Sequence, residues 1–227
     1  MSAKIERLLV CTHNKGKLKE IMEMLEGLSI EILTPESFPD LPDPIEDGDS
    51  FLANAHIKAL SAFEHTGIPS LADDSGLVVP SLDGAPGIFS ARYANANPEK
   101  EDKDQANRTL LRENLRSKSS EERAAYFMCT MVFYRGEDVE EHFEGRCHGQ
   151  IIDEERGDNG FGYDPIFFVP SLQKTFAQIP SHQKNEISHR AHALKKFRNW
   201  LENEIEQAKS DDDVCGHEKY LFHKTQY

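Results

Sequence analysis

The 227-residue chain has a formal net charge of −14, with 40 acidic and 26 basic side chains, and 38% of its residues are hydrophobic. That length supports a sizeable core, as one large domain or two small lobes. The charge argues against a polymeric nucleic-acid partner, whose binding relies on Lys and Arg neutralising many phosphates. No run of about 18 apolar residues marks a membrane span, and the first residues lack a signal-peptide apolar stretch, so a cytoplasmic protein without a membrane partner is expected. Cys11, Cys129, Cys147 and Cys215 form no CxxC pair, which indicates neither a zinc knuckle nor a disulfide framework.

Leu8 to Thr12 reads as a buried strand, after which the pattern turns helical, with Leu18, Ile21, Met22 and Leu25 on one face. Thr12 and Asn14 can cap this helix. Its start carries Lys15 and Lys17, where acidic side chains are normally favoured. Backbone N–H groups, the helix dipole and the two lysines would cradle a phosphate; the plainer alternative is a capped helix with a solvated lysine face. The Walker A spacing is absent. Ser29 to Leu33 reads as a second strand, followed by a proline-rich acidic loop containing Glu46, a candidate metal ligand. Gly48-Asp49-Ser50 announces a helix from Phe51 to about Glu64. Its apolar face, Leu52, Ala55, Ala59 and Phe63, leaves Asn54 and Lys58 on another face, able to point into a cleft.

Asp73 and Asp74 close a short apolar run just before Ser75-Gly76, which reads as a strand end turning sharply. Successive side chains of an extended chain point to opposite faces, so the two aspartates have different jobs unless the chain bends between them. One could face a metal while the other is anchored by hydrogen bonds. Asn97 to Arg116 reads as a polar helix with Ala106, Leu110, Leu111 and Leu115 as its thin apolar side. Arg123 to Tyr134 and Val139 to Gly149 read as a hairpin, and the alternation of Phe127, Cys129, Met131 and Phe133 predicts one well-buried face. Gly157 to Pro165 is rich in glycine and aromatics ahead of a strand over Ile166 to Val169. Phe161 or Tyr163 could stack on a flat ligand there, or simply anchor the loop. Lys184 to Arg190 leads into or lies within a long helix with Ile187, Ala191, Leu194, Phe197, Leu201 and Ile205 on its apolar face. Lys184, Ser188, His189 and Arg190 lie off that face, where a surface His-Arg pair could donate to a carbonyl on a base. Residues 1–208 read as a single α/β domain, and 209–227 as a polar extension, flexible or loosely docked.

Four stretches in this order, Thr12-His13-Asn14-Lys15-Gly16-Lys17, Ala72-Asp73-Asp74-Ser75-Gly76, Gly160-Phe161-Gly162-Tyr163-Asp164-Pro165 and Ser188-His189-Arg190, resemble the ITPase family of pyrophosphatases acting on non-standard purine nucleoside triphosphates. Asp83-Gly84-Ala85-Pro86-Gly87 through Arg92-Tyr93 extends the resemblance, which runs from about residue 7 to residue 205. It implies a mixed α/β fold with a long central sheet, flanking helices and two lobes around a cleft. It implies magnesium-dependent hydrolysis of ITP, dITP and XTP to the monophosphate and pyrophosphate by a homodimer. By resemblance, Thr12, His13, Asn14, Lys15, Gly16 and Lys17 grip the triphosphate with Lys58; Glu46 and Asp74 hold Mg2+; Asp74 is also the general base, supported by Asp73; and Ser75 touches substrate. Phe161, Gly162, Tyr163, Asp164, Lys184, His189 and Arg190 match the nucleoside pocket. Two features depart from the family pattern: His13 stands where glycine is frequent, and the tail beyond about residue 208 has no counterpart.

This chemistry is physically coherent. A metal screens the triphosphate and activates water while a carboxylate accepts the proton. Donors aimed at O6 of hypoxanthine or xanthine would be left unpaired by the amino group of adenine. Two other readings stand beside it, a Maf-like pyrophosphatase acting on pyrimidine or modified nucleotides and a nucleotide sensor that does not hydrolyse its ligand.

Overall fold

The computed structural model describes residues 5–97, 102–136 and 139–222, with side chains described up to residue 208. In chain order the elements are β1 (Arg7–Cys11), α1 (Lys15–Leu25), β2 (Glu31–Leu33), α2 (Phe51–Thr66), β3 (Ser70–Val78), α3 (Lys103–Asn114), β4 (Ala124–Tyr134), β5 (Glu140–Ile151), β6 (Phe167–Val169), β7 (Lys174–Thr175), α4 (Ser181–Ile187) and α5 (His189–Phe222). They build one seven-stranded mixed sheet in the order β2-β1-β3-β4-β5-β6-β7. β1 pairs in parallel with β2 and β3, and the remaining pairings are antiparallel.

Alternation along the strands divides the core. Leu8 and Val10 of β1 join Leu71, Met131 and Phe133 under α1 and α5, while Leu9, Cys11, Ala72 and Val132 face the alanines of α2 on the other side of the sheet. A third cluster, around Leu77, Phe127, Ile166, Phe167 and Phe176, packs with Leu111 and Leu115 and forms the second lobe. β4 therefore has one well-buried face along its N-terminal half, as its alternation predicts, but both faces are covered from Cys129 to Tyr134 because α2 lies over the second one.

Two helices bury faces different from those the sequence periodicity suggests. In α2 the buried residues are Phe51, Asn54, Ala55, Ala59 and Ala62, and Leu52 is left exposed. Small alanines let α2 lie close to β3 and β4, and Phe51 enters the core where Leu52 was expected. In α1, Glu20 is buried beside Ile21 and Leu25, whereas Met22 is exposed. A further difference concerns the expected helix from Asn97: α3 begins only at Lys103, N-capped by Asp102, whose carboxylate accepts from the N–H groups of Asp104 and Gln105. Residues 98–101 lie outside the described residues.

Strand β5 pairs with β6 only through Gln150 and Ile151. At two further points on its outer edge α5 supplies partners: Lys196 Nζ donates to the Glu144 carbonyl at 2.7 Å and His192 Nδ1 to that of Arg146 at 2.8 Å. Basic side chains thus blunt an edge that would otherwise template another strand.

Candidate active site

The phosphate-loop candidate forms as a strand, turn and helix. Asn14 N-caps α1, its Oδ1 accepting from the Lys17 N–H at 3.0 Å, and Thr12 Oγ1 accepts from the Asn14 N–H at 3.3 Å. The first turn of α1 contains no acidic residue. Lys15 is exposed, while the Lys17 side chain turns inward to Asp73 Oδ2 at 3.1 Å. Thr12, His13, Asn14, Gly16 and Lys17 line a cleft of about 400 Å³ between the lobes.

Asp73 and Asp74 lie in the middle of β3, not at a strand end. Pairing with β4 continues through Ser75, Gly76, Leu77 and Val78, which overturns the sharp turn expected at Asp74. The turn-forming composition has another reason at Gly76: a Cβ there would collide with the Gly87 carbonyl and the Ser90 hydroxyl. Because the strand stays extended, the aspartates separate onto opposite faces. Asp73 meets Arg190 and Lys17. Asp74 meets α2, accepting from Asn54 Nδ2 at 3.3 Å and from Lys58 Nζ at 3.3 Å.

The two carboxyls are also driven apart electrostatically. Burial by itself would raise the Asp73 carboxyl, but Lys17, Arg190 and Lys58 overcome it and hold the group well below the usual range. Asp74 is raised, because burial together with the charges of Glu46 and Asp73 outweighs Lys58 and Lys17. A carboxylate anchored as an anion thus stands beside one tuned toward accepting a proton.

Glu46 reaches the same point from the acidic loop. Lys58 Nζ lies 3.2 Å from Glu46 Oε2 and 3.3 Å from Asp74 Oδ1, so one ammonium bridges the two carboxylates. Asn54 fixes the loop's approach, its Oδ1 accepting from the Gly48 N–H at 2.9 Å while its amide holds Asp74. Among the described residues no cluster of three or more His, Cys, Asp or Glu side chains could hold a metal by itself. Glu46 and Asp74 nonetheless fit a hard divalent cation that takes its remaining ligands from water and phosphate oxygens, the usual arrangement for Mg2+.

At the other end of the cleft, the Phe161 ring lies beside Lys184 Nζ, 4.9 Å from the ring centroid. Asp164 is buried; its Oδ2 accepts from the Phe161 N–H at 3.0 Å and from Lys184 Nζ at 2.6 Å. Tyr163 is buried too, its hydroxyl donating to the Ser90 carbonyl at 2.9 Å, so it anchors the loop. Burial raises its phenol well above the ordinary range.

His189 and Arg190 are buried, not a surface pair, and of the two expected placements the stretch leads into the long helix across a break rather than lying within it. α4 ends at Ile187 and Ser188 starts α5, its Oγ accepting from the Ala191 N–H at 3.1 Å. The break points His189 and Arg190 inward under the sheet. The Arg190 guanidinium is committed to protein acceptors: Glu20 Oε2, Asp73 Oδ2 at 3.2 Å and Ser75 Oγ at 2.8 Å. His189 stacks on Phe127 with ring centroids 4.7 Å apart. Burial, Arg190 and Lys184 lower its pKa well below the ordinary value, leaving a neutral ring whose Nδ1 has no hydrogen-bond partner among the described residues.

Three further residues take part in the site without a role assigned from sequence: Arg92 and Asp104 line the cleft, and Glu20 pairs with two residues that do. Glu20 accepts from Arg190 Nη1 and pairs with Lys184 Nζ at 3.0 Å. The available signal was its position three residues beyond Lys17, on the same side of α1. Arg92 lines the cleft, its Nη2 donating to the Glu46 carbonyl at 3.4 Å, and Asp104 borders the aromatic loop from α3. Arg92 falls in the stretch that extends the family resemblance, with no role assigned to it there, whereas Asp104 sits in no sequence pattern that announces a site.

The chain is similar to several known proteins. The Ham1 family profile matches residues 8–200. A protein named dITP/XTP pyrophosphatase from Geobacter sulfurreducens is 47% identical over 195 residues, covering 86% of this chain and 96% of its own. The solved structure of a HAM1 protein from Coxiella burnetii superposes with a TM-score of 0.78 at 39% identity, covering 87% of this chain and 98% of that one. That of the Staphylococcus aureus Ham1 protein gives 0.76 at 38% identity, covering 87% and 99%. With the match running from the strand ahead of Thr12 past His189 and Arg190, and so through every site segment, the chain belongs to the Ham1 family.

Proposed function

We propose that this chain hydrolyses deaminated purine nucleoside triphosphates, ITP, dITP and XTP, to the monophosphate and pyrophosphate. The observation that carries the reading is one cleft with two chemically distinct ends. Lys58 bridges Glu46 and Asp74 on the acidic side of the cleft, and Phe161, Lys184 and His189 line the aromatic side, where the Phe161 ring packs on Gly16 at the start of α1. The names of the relatives agree with it.

In this reading Thr12, Asn14, Lys15, Gly16 and Lys17 bind the triphosphate through the α1 N-terminus, whose dipole and free N–H groups favour an anion. Lys58 brings its ammonium to the phosphates while holding Glu46 and Asp74 in place. Asp74 takes a proton from the attacking water; the new bond forms between water oxygen and the α-phosphorus, and the bond from that phosphorus to the bridging oxygen breaks as pyrophosphate leaves. Its raised pKa suits it to accept that proton. Glu46 and Asp74 would hold Mg2+, which when bound would supply charge neutralisation and make the attacking water more acidic. Asp73, kept ionised by Lys17 and Arg190, orients Arg190 and through it Ser75.

The base would stack on Phe161 and face neutral His189, which offers one donor and one acceptor. Arg190 serves that pocket chiefly by fixing Glu20, Asp73 and Ser75. Homodimer formation and a cytoplasmic location belong to the same reading; light scattering on the purified chain tests the first. No described helix is long and apolar enough to cross a membrane.

The direct test is pyrophosphate release from ITP, XTP, dITP, ATP and GTP, each with magnesium and with EDTA. Magnesium-dependent turnover favouring the first three is the expected result. Nucleotide binding without release from any of them would leave a sensor instead, and preference for a pyrimidine in a wider panel would replace the substrate class.

A further inference from the structure

Gly162, at the tip of the aromatic loop, has both backbone polar groups held by side chains of α3. Its N–H donates to Asp104 Oδ2 at 2.9 Å, and its carbonyl accepts from Arg108 Nη1 at 2.8 Å. Asp104 and Arg108 are four residues apart and so share one face of the helix. Gly162 itself has a φ of 62°, the left-handed region where glycine is favoured, so the loop turns at the residue that is clamped.

The Arg108 side of the clamp is rigid. Arg108 is buried, and its remaining donors are spent on Glu155 Oε2 at 3.1 Å and Gln105 Oε1 at 2.8 Å, while Arg112 holds the other Glu155 oxygen at 3.2 Å. Asn107, between the two clamping residues, donates to the Ser90 carbonyl at 3.2 Å, the same acceptor used by the Tyr163 hydroxyl. The loop is thus gripped from α3 directly at Gly162 and indirectly at Tyr163. Phe161 and Asp164 lie within two residues of the clamped glycine.

We propose that Asp104 and Arg108 are positioning residues for the nucleoside end of the site. They hold Gly162, and through it set the place of the Phe161 ring and the Asp164 carboxylate, while their own hydrogen bonds go to the aromatic loop and its neighbours and none to Thr12, Asn14 or Lys17. The inference rests on the reading of this cleft as a nucleoside triphosphate site. Spending both polar groups of Gly162 on α3 also turns them away from the ligand, so the recognition left to the loop comes from its flanking side chains.

The test uses the full chain and two ligands that separate the ends of the cleft, inosine monophosphate and inorganic tripolyphosphate, with binding measured by calorimetry. Asp104→Ala and Arg108→Met are expected to weaken the nucleotide about tenfold each, the effect of a lost buried hydrogen bond, with tripolyphosphate affinity unchanged. In turnover of ITP the loss falls on KM, with kcat preserved. Asp104→Asn, which keeps an acceptor for the Gly162 N–H, is expected to restore wild-type nucleotide binding, a rescue that a merely structural charge would not give. Melting curves accompany each variant, and Asp104→Ala, at the less buried position, keeps the test available if Arg108→Met fails to fold. Folded variants with wild-type nucleotide affinity, equal losses for both ligands, or Asp104→Asn as weak as Asp104→Ala would each overturn the proposal. Absence of pyrophosphate release from the wild type would instead sink the catalytic reading, with the clamp still judged by the ratio of the two affinities.

Discussion

Asp74 and Gly16 carry the sharpest expectations at single positions. Asparagine at 74 can still accept from Lys58 and donate or accept toward Asn54, so Asp74→Asn should melt close to the wild type. It loses the proton acceptor, and general-base groups contribute about 10²–10⁴ in rate; turnover by a well-folded variant at the wild-type rate would remove Asp74 from its role. Gly16 lies where a Cβ would sit 2.6 and 2.7 Å from the Phe161 ring. Phosphate loop and aromatic loop therefore touch, and the glycine makes room for a ring rather than for an unusual backbone angle. Gly16→Ala should displace Phe161 and weaken inosine monophosphate binding by about tenfold, the scale of 1–3 kcal/mol for base stacking. Calorimetry with a Phe161→Leu partner variant checks it, since the two losses should not add if both act through the ring.

At the scale of elements, the break between α4 and α5 does more for the site than either helix alone. Ser188 ends one helix, its N–H donating to the Lys184 carbonyl at 2.9 Å, and caps the next. The residues that follow enter the first turn of α5 facing the sheet, where a continuous helix would send them elsewhere. Ser188→Ala removes the cap and should cost about 1 kcal/mol of stability, read as a lower midpoint in urea, with KM for ITP raised because His189 and Arg190 lose their fixed start. A variant with unchanged stability and KM would show that packing alone orients α5. The periodicity of α5 was legible from Ala191 to Leu201, all of whose assigned apolar residues are buried, but the break was not. No proline or glycine marks it; it is held by one serine hydroxyl and by the buried partners of Lys184 and Arg190.

For the whole molecule, acid stability follows from the buried charges. His189 has a folded pKa below its ordinary 6.5, so the unfolded chain binds the extra proton. Its contribution is complete above about pH 6.5 and is lost as pH falls below that value, with a slope of up to about 1.4 kcal/mol per pH unit. Glu20 is lowered from 4.5 because Arg190 and Lys184 outweigh its burial, so its contribution is lost further down, as pH falls below 4.5. Denaturant midpoints measured from pH 7.5 to 5 should therefore decline, and His189→Gln should flatten that decline; an equally steep profile in the variant would assign it to other groups. A second expectation concerns the C-terminal residues. The core contacts of α5 reach Leu201 and, more marginally, Ile205. The backbone continues as helix to Phe222, where loss of periodicity from Ser210 had suggested a loose extension. A chain truncated after residue 208 should melt and turn over ITP like the full chain, and a lower melting temperature would place stabilising contacts beyond that point.

The amino-acid sequence by itself determined most of what depends on local order. Strand alternation in β1 and β4, the cap at Asn14, the helix start at Ser50 and the four ordered motifs were readable because each is written in neighbouring residues. It also separated Asp73 from Asp74, since an extended backbone sends adjacent side chains to opposite faces. The tertiary structure decided which partners those side chains meet. Asp73 is anchored by Arg190, 117 residues away, and Arg190 by Glu20, 170 away. The Gly162 clamp spans 58 and 54 residues. It also decided that Asp74 lies mid-strand, because pairing with β4 outweighed the turn tendency of Asp, Ser and Gly. Local propensities are worth a kcal/mol or less per residue; the buried charge network and the sheet ladder act through contacts that only the folded chain creates.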